Sequence, residues 1–267
     1  MQNILLIVLA IFPGLLICYL IYLFDKYEKE SRLPLAICFG LGVASAFPAL
    51  KLEEWGDSLG VNEHEGFWML MLLSFVVIAL SEELVKFIVL IAYPFQKKFF
   101  NEPLDGIVYA VVIGMGFATI ENIIYAGRFG TGTTIIRAFT AVPAHAIFAI
   151  VMGYFTGIAK FDKKNKLLNL SLGLGAAVLL HGIYDFFILQ QYYEWLMVFA
   201  TFTLLLSGFL ASRLIKIHQQ SSPFKDITEE EVVAINIEPI LENINIFPIS
   251  ESDDDIMDAI MEDLEEE

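Results

Sequence analysis

The stretch Ser81-Glu82-Glu83-Leu84-Val85-Lys86 lies inside an apolar run from Phe67 to Ala92 that is long enough to cross a bilayer. Two adjacent carboxylates and an ammonium replace apolar residues there, each at a cost of about 2.5–3.5 kcal/mol on an insertion scale. A membrane helix keeps such a cluster where the interior of a bundle uses it. The rest of the chain can therefore be read as the set of partners for these three residues.

Composition agrees with a membrane setting. Of the 267 residues 57% are hydrophobic, too many for an ordinary soluble domain of this length. Seven apolar segments are long enough to span as helices: Ile4–Phe24, Leu33–Leu50, Phe67–Ala92, Asp105–Tyr125, Ile135–Ala159, Leu167–Leu189 and Trp195–Ser212. The expected fold is an all-α, polytopic transmembrane bundle over residues 1–212, with short connections. Gly40, Gly42 and Pro48 make the second segment the weakest. The start of the chain lacks the basic region and small-residue cleavage site of a signal peptide, and is read as a retained first span. Cys18 and Cys38 both lie in apolar runs and give no sign of a disulfide framework.

The net charge of −16 divides unevenly, because residues 213–267 hold sixteen acids and three bases and so account for −13 of it. That tail, with Pro223, Pro239 and Pro248, reads as a disordered acidic extension; within it Asp254–Leu264 places Ile256, Met257, Ile260, Met261 and Leu264 on one helical face. No basic face points to nucleic acid. One set of loops carries twelve Lys and Arg residues, and the opposite set only Lys51, Arg128 and Arg137. This asymmetry puts the N-terminus outside the cell membrane and the tail in the cytoplasm.

Polar residues recur inside the other spans. The fourth contributes Glu121 and Asn122, the fifth His145, and the sixth His181 and Asp185, four apart on one face. At 1.5 Å of rise per residue, Glu121 lies about 10 Å from its outer end, His145 about 12 Å and His181 about 13 Å. Three helices thus bring these groups to one level. Glu82 comes out deeper, about 24 Å from Gly66, so the third helix must tilt or begin later to join them.

The four carboxylates Glu82, Glu83, Glu121 and Asp185 against Lys86 leave a formal −3, which a low-dielectric bundle offsets with protons or a bound cation. Glu121 with the two histidines is a donor set of the kind that holds a divalent metal such as zinc. Glu82 or Glu83 is then a candidate general base, and Asp185 a candidate to orient His181. A proton- or cation-coupled transporter also fits such residues, but no internal repeat supports it. A catalytically silent receptor or immunity protein on the same scaffold is a third reading. His64 is expected in a solvated loop, and His218 at the membrane interface.

Taken together, Glu82-Glu83-x-x-Lys86, Phe117-x-x-x-Glu121-Asn122, the isolated His145 and His181-x-x-x-Asp185 resemble the PrsW-type intramembrane proteases of the CAAX prenyl protease and bacteriocin-processing superfamily. The stretches from Asp105 to Asn122 and Asp25-Lys-Tyr-Glu-Lys-Glu are similar too, with Ser31 where a proline is expected. The resemblance implies hydrolysis of a peptide bond in a membrane-anchored protein, with an anti-sigma factor as the family's substrate. It implies a catalytic set of Glu82, Glu83, Glu121, His145, His181 and Asp185, supported by Lys86 and Asn122. Metal-dependent and glutamate-dependent hydrolysis both remain open at this stage. The outer segment Lys51–Gly66, with its five acids, is a candidate substrate-access loop.

Overall fold

The computed structural model describes residues 2–64 and 66–225. The acidic segment Asp254–Leu264, and the part of the expected disordered tail after Lys225, lie outside those residues. Among the described residues every regular element is helical. The order is α1 (Gln2–Phe24), α2 (Arg32–Ser58), α3 (Phe67–Leu72), a π-helical stretch (Leu73–Leu80), α4 (Ser81–Ala92), α5 (Pro103–Phe139), α6 (Ala141–Phe161), α7 (Lys166–Leu189) and α8 (Met197–Gln220). Five segments are long and apolar enough to cross a membrane: Leu6–Phe24, Arg32–Ser58, Pro103–Phe161 (which holds both α5 and α6), Lys166–Leu189 and Glu194–Gln220. Large apolar side chains such as Phe12, Trp68, Leu205 and Phe209 point outward. A water-soluble chain would bury these groups; here lipid covers them, and the protein is a multi-pass membrane protein.

The first half of α5 is the pillar of the bundle. From Leu104 to Thr119 its side chains are enclosed on all sides, by α1, α2, α4, α6 and α8. Lipid tails are as apolar as leucine, so helices in a bilayer gain from close packing rather than from leaving water. Small residues permit that approach. Where α5 crosses α6, a Cβ on Gly153 would stand 2.7 Å from Ile107 Cα and 2.8 Å from the Gly106 carbonyl carbon. Gly153→Ala is therefore expected to force the two helices apart at a cost of about 1–3 kcal/mol. A lower unfolding midpoint in detergent checks this, and an unchanged midpoint would place the crossing elsewhere.

Three features depart from the sequence expectations. The second helix does not stop at Leu50 but runs through Pro48 to Ser58, so Lys51–Ser58 is helix and only the residues after it form a loop. Proline is tolerated in membrane helices because neighbouring groups satisfy the freed carbonyl. The third rod is interrupted by its π-helical stretch, directly before Ser81. A π turn holds more residues per unit length than an α turn, so Glu82 stands less deep than a uniform helix implies. Finally, α8 continues past Ser212, with Leu214, Ile215 and His218 buried, and the bundle ends later than residue 212. His218 is buried and stacks on Tyr154 at 4.3 Å.

Candidate active site

Four helices bring their polar residues to one place. Glu82, Glu83 and Lys86 come from α4, Glu121 and Asn122 from α5, His145 from α6, and His181 and Asp185 from α7. Glu82, Glu83, Lys86, His145 and His181 are each at most 5% exposed. At the centre is the Lys86 ammonium, which donates to Glu82 Oε2 at 2.9 Å and Glu83 Oε1 at 2.8 Å. Its Nζ also lies 3.2 Å from His145 Nδ1 and 3.9 Å above the ring of Phe117. The α-helical spacing of three and four residues within α4 lets both carboxylates turn to the same ammonium.

Each imidazole is held by a carboxylate on its outer nitrogen. His145 Nε2 lies 2.9 Å from Glu121 Oε2, and His181 Nε2 lies 3.2 Å from Asp185 Oδ2. The inner nitrogens face the cluster, with His181 Nδ1 2.9 Å from Glu83 Oε1. The two rings are 5.3 Å apart and perpendicular, and Phe148 stacks on His181 at 4.9 Å. Such outer partners fix a histidine's tautomer and direction.

Two contributors are absent from the sequence reading. Arg137 counts with the outer loops on sequence, yet its guanidinium lies 2.8 Å from Glu121 Oε1, its Nε donates to Asn122 Oδ1 at 3.3 Å, and it stacks over Tyr125 at 3.8 Å. A straight helix would hold residues 121 and 137 about 24 Å apart. Gly130, at φ 76° and ψ −165°, breaks α5 and lets the following segment fold back. That backbone geometry suits glycine and no side-chain-bearing residue of this size. The signal in sequence is faint: a Gly-rich stretch, Gly127 to Gly132, ahead of a lone arginine. The second contributor is Glu53, which the extended α2 carries to the rim of the same site.

These groups line a cavity of about 350 Å³. Glu82, Glu121, Arg137, His145, His181 and Asp185 face it, whereas Glu83 stands behind. Arg137→Met is expected to leave Glu121 without its cation, misplace His145 and lower activity by about 10²-fold. Rates measured on a reconstituted substrate check this. A native rate would reduce Arg137 to a structural strut.

Donor atoms of Glu82, Glu83, His145 and His181 all lie within 4.8 Å of one another, so this group could hold a metal ion. Glu121 falls outside it, behind His145, and does not join the two histidines as a direct third donor in this arrangement. Two imidazoles and two carboxylates fit a borderline divalent ion chemically. The Lys86 ammonium supplies the positive charge among three of these four side chains in the present geometry.

Comparison with known proteins agrees with this picture. Residues 30–217 match the family model described as PrsW family intramembrane metalloprotease. The chain is 37% identical over 193 residues to Protease PrsW of Clostridioides difficile, covering 70% of this chain and 80% of that protein. It is 34% identical over 179 residues to Protease PrsW of Geobacillus kaustophilus, covering 67% and 77%. With Protease PrsW of Bacillus subtilis the identity is 32% over 201 residues, covering 75% and 89%. No solved structure matches.

Proposed function

The chain belongs to the PrsW family of intramembrane metalloproteases, and from that premise we propose that Glu82 activates the water that cleaves its substrate. The protein is an intramembrane protease acting on a membrane protein, which disfavours the transporter reading. The observation that carries the assignment is that Glu82, and not Glu83, faces the cavity between the two histidines.

The proposed chemistry begins with a substrate helix that unwinds locally, since its carbonyls are otherwise hydrogen-bonded within the helix. Glu82 takes a proton from water as the water oxygen bonds to the peptide carbonyl carbon. The resulting oxyanion is offset by N–H groups of side chains that face the cavity, with the Lys86 ammonium behind Glu82 adding positive charge at longer range. The C–N bond then breaks, and the proton on Glu82 passes to the leaving amine. Glu121 and Asp185 orient His145 and His181, while Glu83 holds Lys86 and His181 in place. With the Lys86 ammonium displaced, Glu82, Glu83, His145 and His181 would hold a divalent ion, for which zinc suits the donors. Bound there, zinc would supply Lewis-acid polarisation and a more acidic water.

On this reading the helices make seven spans, with the π-interrupted rod from Phe67 to Ala92 as the third. The N-terminus lies outside and residues 213–267 are cytoplasmic. Support comes from the Lys and Arg asymmetry, which sharpens once Arg137 is placed within the bundle and the outer set is left with Lys51 and Arg128. The substrate proposed is a membrane-anchored anti-sigma factor, as the family resemblance implies.

Membrane proteins from cells lacking the chain should be compared with those from cells carrying it at native level. A single-span protein that stays intact in its absence and appears shortened near its outer membrane border in its presence is the expected result. Identical fragment patterns under several envelope stresses would remove hydrolysis of such a substrate.

A further inference from the structure

A second group of acids lies at the other end of α5, about 24 Å from Glu121 by helix rise. The loop after α1 supplies Asp25, Glu28 and Glu30, and the head of α5 supplies Glu102 and Asp105. Asp25, Glu102 and Asp105 are wholly enclosed, and Glu30 is 4% exposed. Donor oxygens of Glu28, Glu102 and Asp105 lie within 4.8 Å of one another. Glu30 accepts a hydrogen bond from Tyr109, one turn along α5, and its carboxyl meets that of Asp105.

Capping the helix does not account for so much charge. Asp105 Oδ2 already takes the backbone N–H groups of Asn101 at 2.7 Å and Glu102 at 2.9 Å, which serves the helix start. Among the described residues no hydrogen-bond donor reaches the enclosed Asp25 Oδ1, Glu28 Oε2 or Asn101 Oδ1. Buried oxygens in native proteins find a donor or a cation. Lys29, on the same loop, gives its ammonium to the carbonyls of Tyr22 at 2.5 Å and Leu23 at 3.3 Å.

We propose that these residues form a binding site for one hard divalent cation, Mg²⁺ or Ca²⁺, which pins the α1–α2 loop to the head of the central helix. Every donor is an oxygen, the ligand type that hard cations take, and none is the nitrogen or sulfur that zinc favours. It shares no side chain with the candidate active site.

The test uses the full chain in detergent, stripped with chelator. Bound Mg²⁺ and ⁴⁵Ca²⁺ are counted by equilibrium dialysis, and unfolding is followed with MgCl₂, CaCl₂ or NaCl at matched ionic strength. One ion per chain is expected, with a higher unfolding midpoint than NaCl gives, and the ion acting at lower concentration is the site's own. Glu28→Gln, which changes the half-buried rim and leaves the enclosed acids intact, should weaken binding at least tenfold; Glu102→Gln should do the same. Glu82→Gln should leave it unchanged. Binding that survives both Glu28→Gln and Glu102→Gln would place the ion on other acids and overturn the proposal. Loss in Glu82→Gln, or no ion at all, would overturn it equally.

Discussion

Glu82→Gln is expected to lower substrate cleavage by about 10²–10⁴-fold while the bundle stays folded, the contribution of a positioned general base to a rate. The amide keeps the volume of the carboxylate and one oxygen for Lys86, which Glu82 Oε2 meets at 2.9 Å. It cannot take a proton from water. Glu83→Gln should behave differently. A single Glu83 oxygen accepts from Lys86 at 2.8 Å and faces His181 Nδ1 at 2.9 Å, away from the cavity. Its loss should lower the unfolding midpoint more than Glu82→Gln does, and lower the rate through displaced partners. Initial rates on a reconstituted single-span substrate, paired with unfolding midpoints, separate the two. Should Glu82→Gln cleave at the native rate while Glu83→Gln is inert and fully stable, the assignments exchange.

Much of this arrangement is legible in the chain, for a physical reason. Ionisable groups are so costly in a span that their positions reveal the bundle interior without any structure. Rise per residue then brings Glu121, His145 and His181 to one level, and in the fold His145 lies 2.9 Å from Glu121 and 5.3 Å from the His181 ring. The same arithmetic sets Glu82 too deep, because it assumes a uniform, upright helix that starts level with the others, and the wider winding of Leu73–Leu80 removes only part of the difference. It also fails for Arg137. An arginine at the very start of the span Ile135–Ala159 counts with the loop before it, and one glycine, Gly130, reverses the chain and carries it inward. Glu53 is hidden likewise, since a helix expected to end at Leu50 continues to Ser58. Local pattern records which groups avoid lipid. It does not record a break or an extension that depends on what packs alongside.

The role of Lys86 can be decided by removing it. Its ammonium is enclosed by two carboxylates and an imidazole nitrogen at 2.8–3.2 Å and by the Phe117 face at 3.9 Å. Those side chains are three of the four that could hold a metal. An ammonium and a divalent ion therefore compete for one place, and the bundle needs one of them to offset Glu82 and Glu83. Lys86→Met keeps the length and apolar stem but leaves both carboxylates buried without a cation. Breaking a buried pair in this way costs about 3–5 kcal/mol, so the chelator-treated variant should unfold on the order of 10 °C below the native chain. Zn²⁺ should restore the midpoint, bind once per chain and bind at least tenfold more tightly than to the native chain, as measured by dialysis and metal analysis. Equal zinc affinity in both chains would mean that the ammonium yields its place freely and does not compete. If neither chain binds zinc and the midpoint stays low, Lys86 is the permanent cation of the site, and the carboxylates act on water under its charge alone.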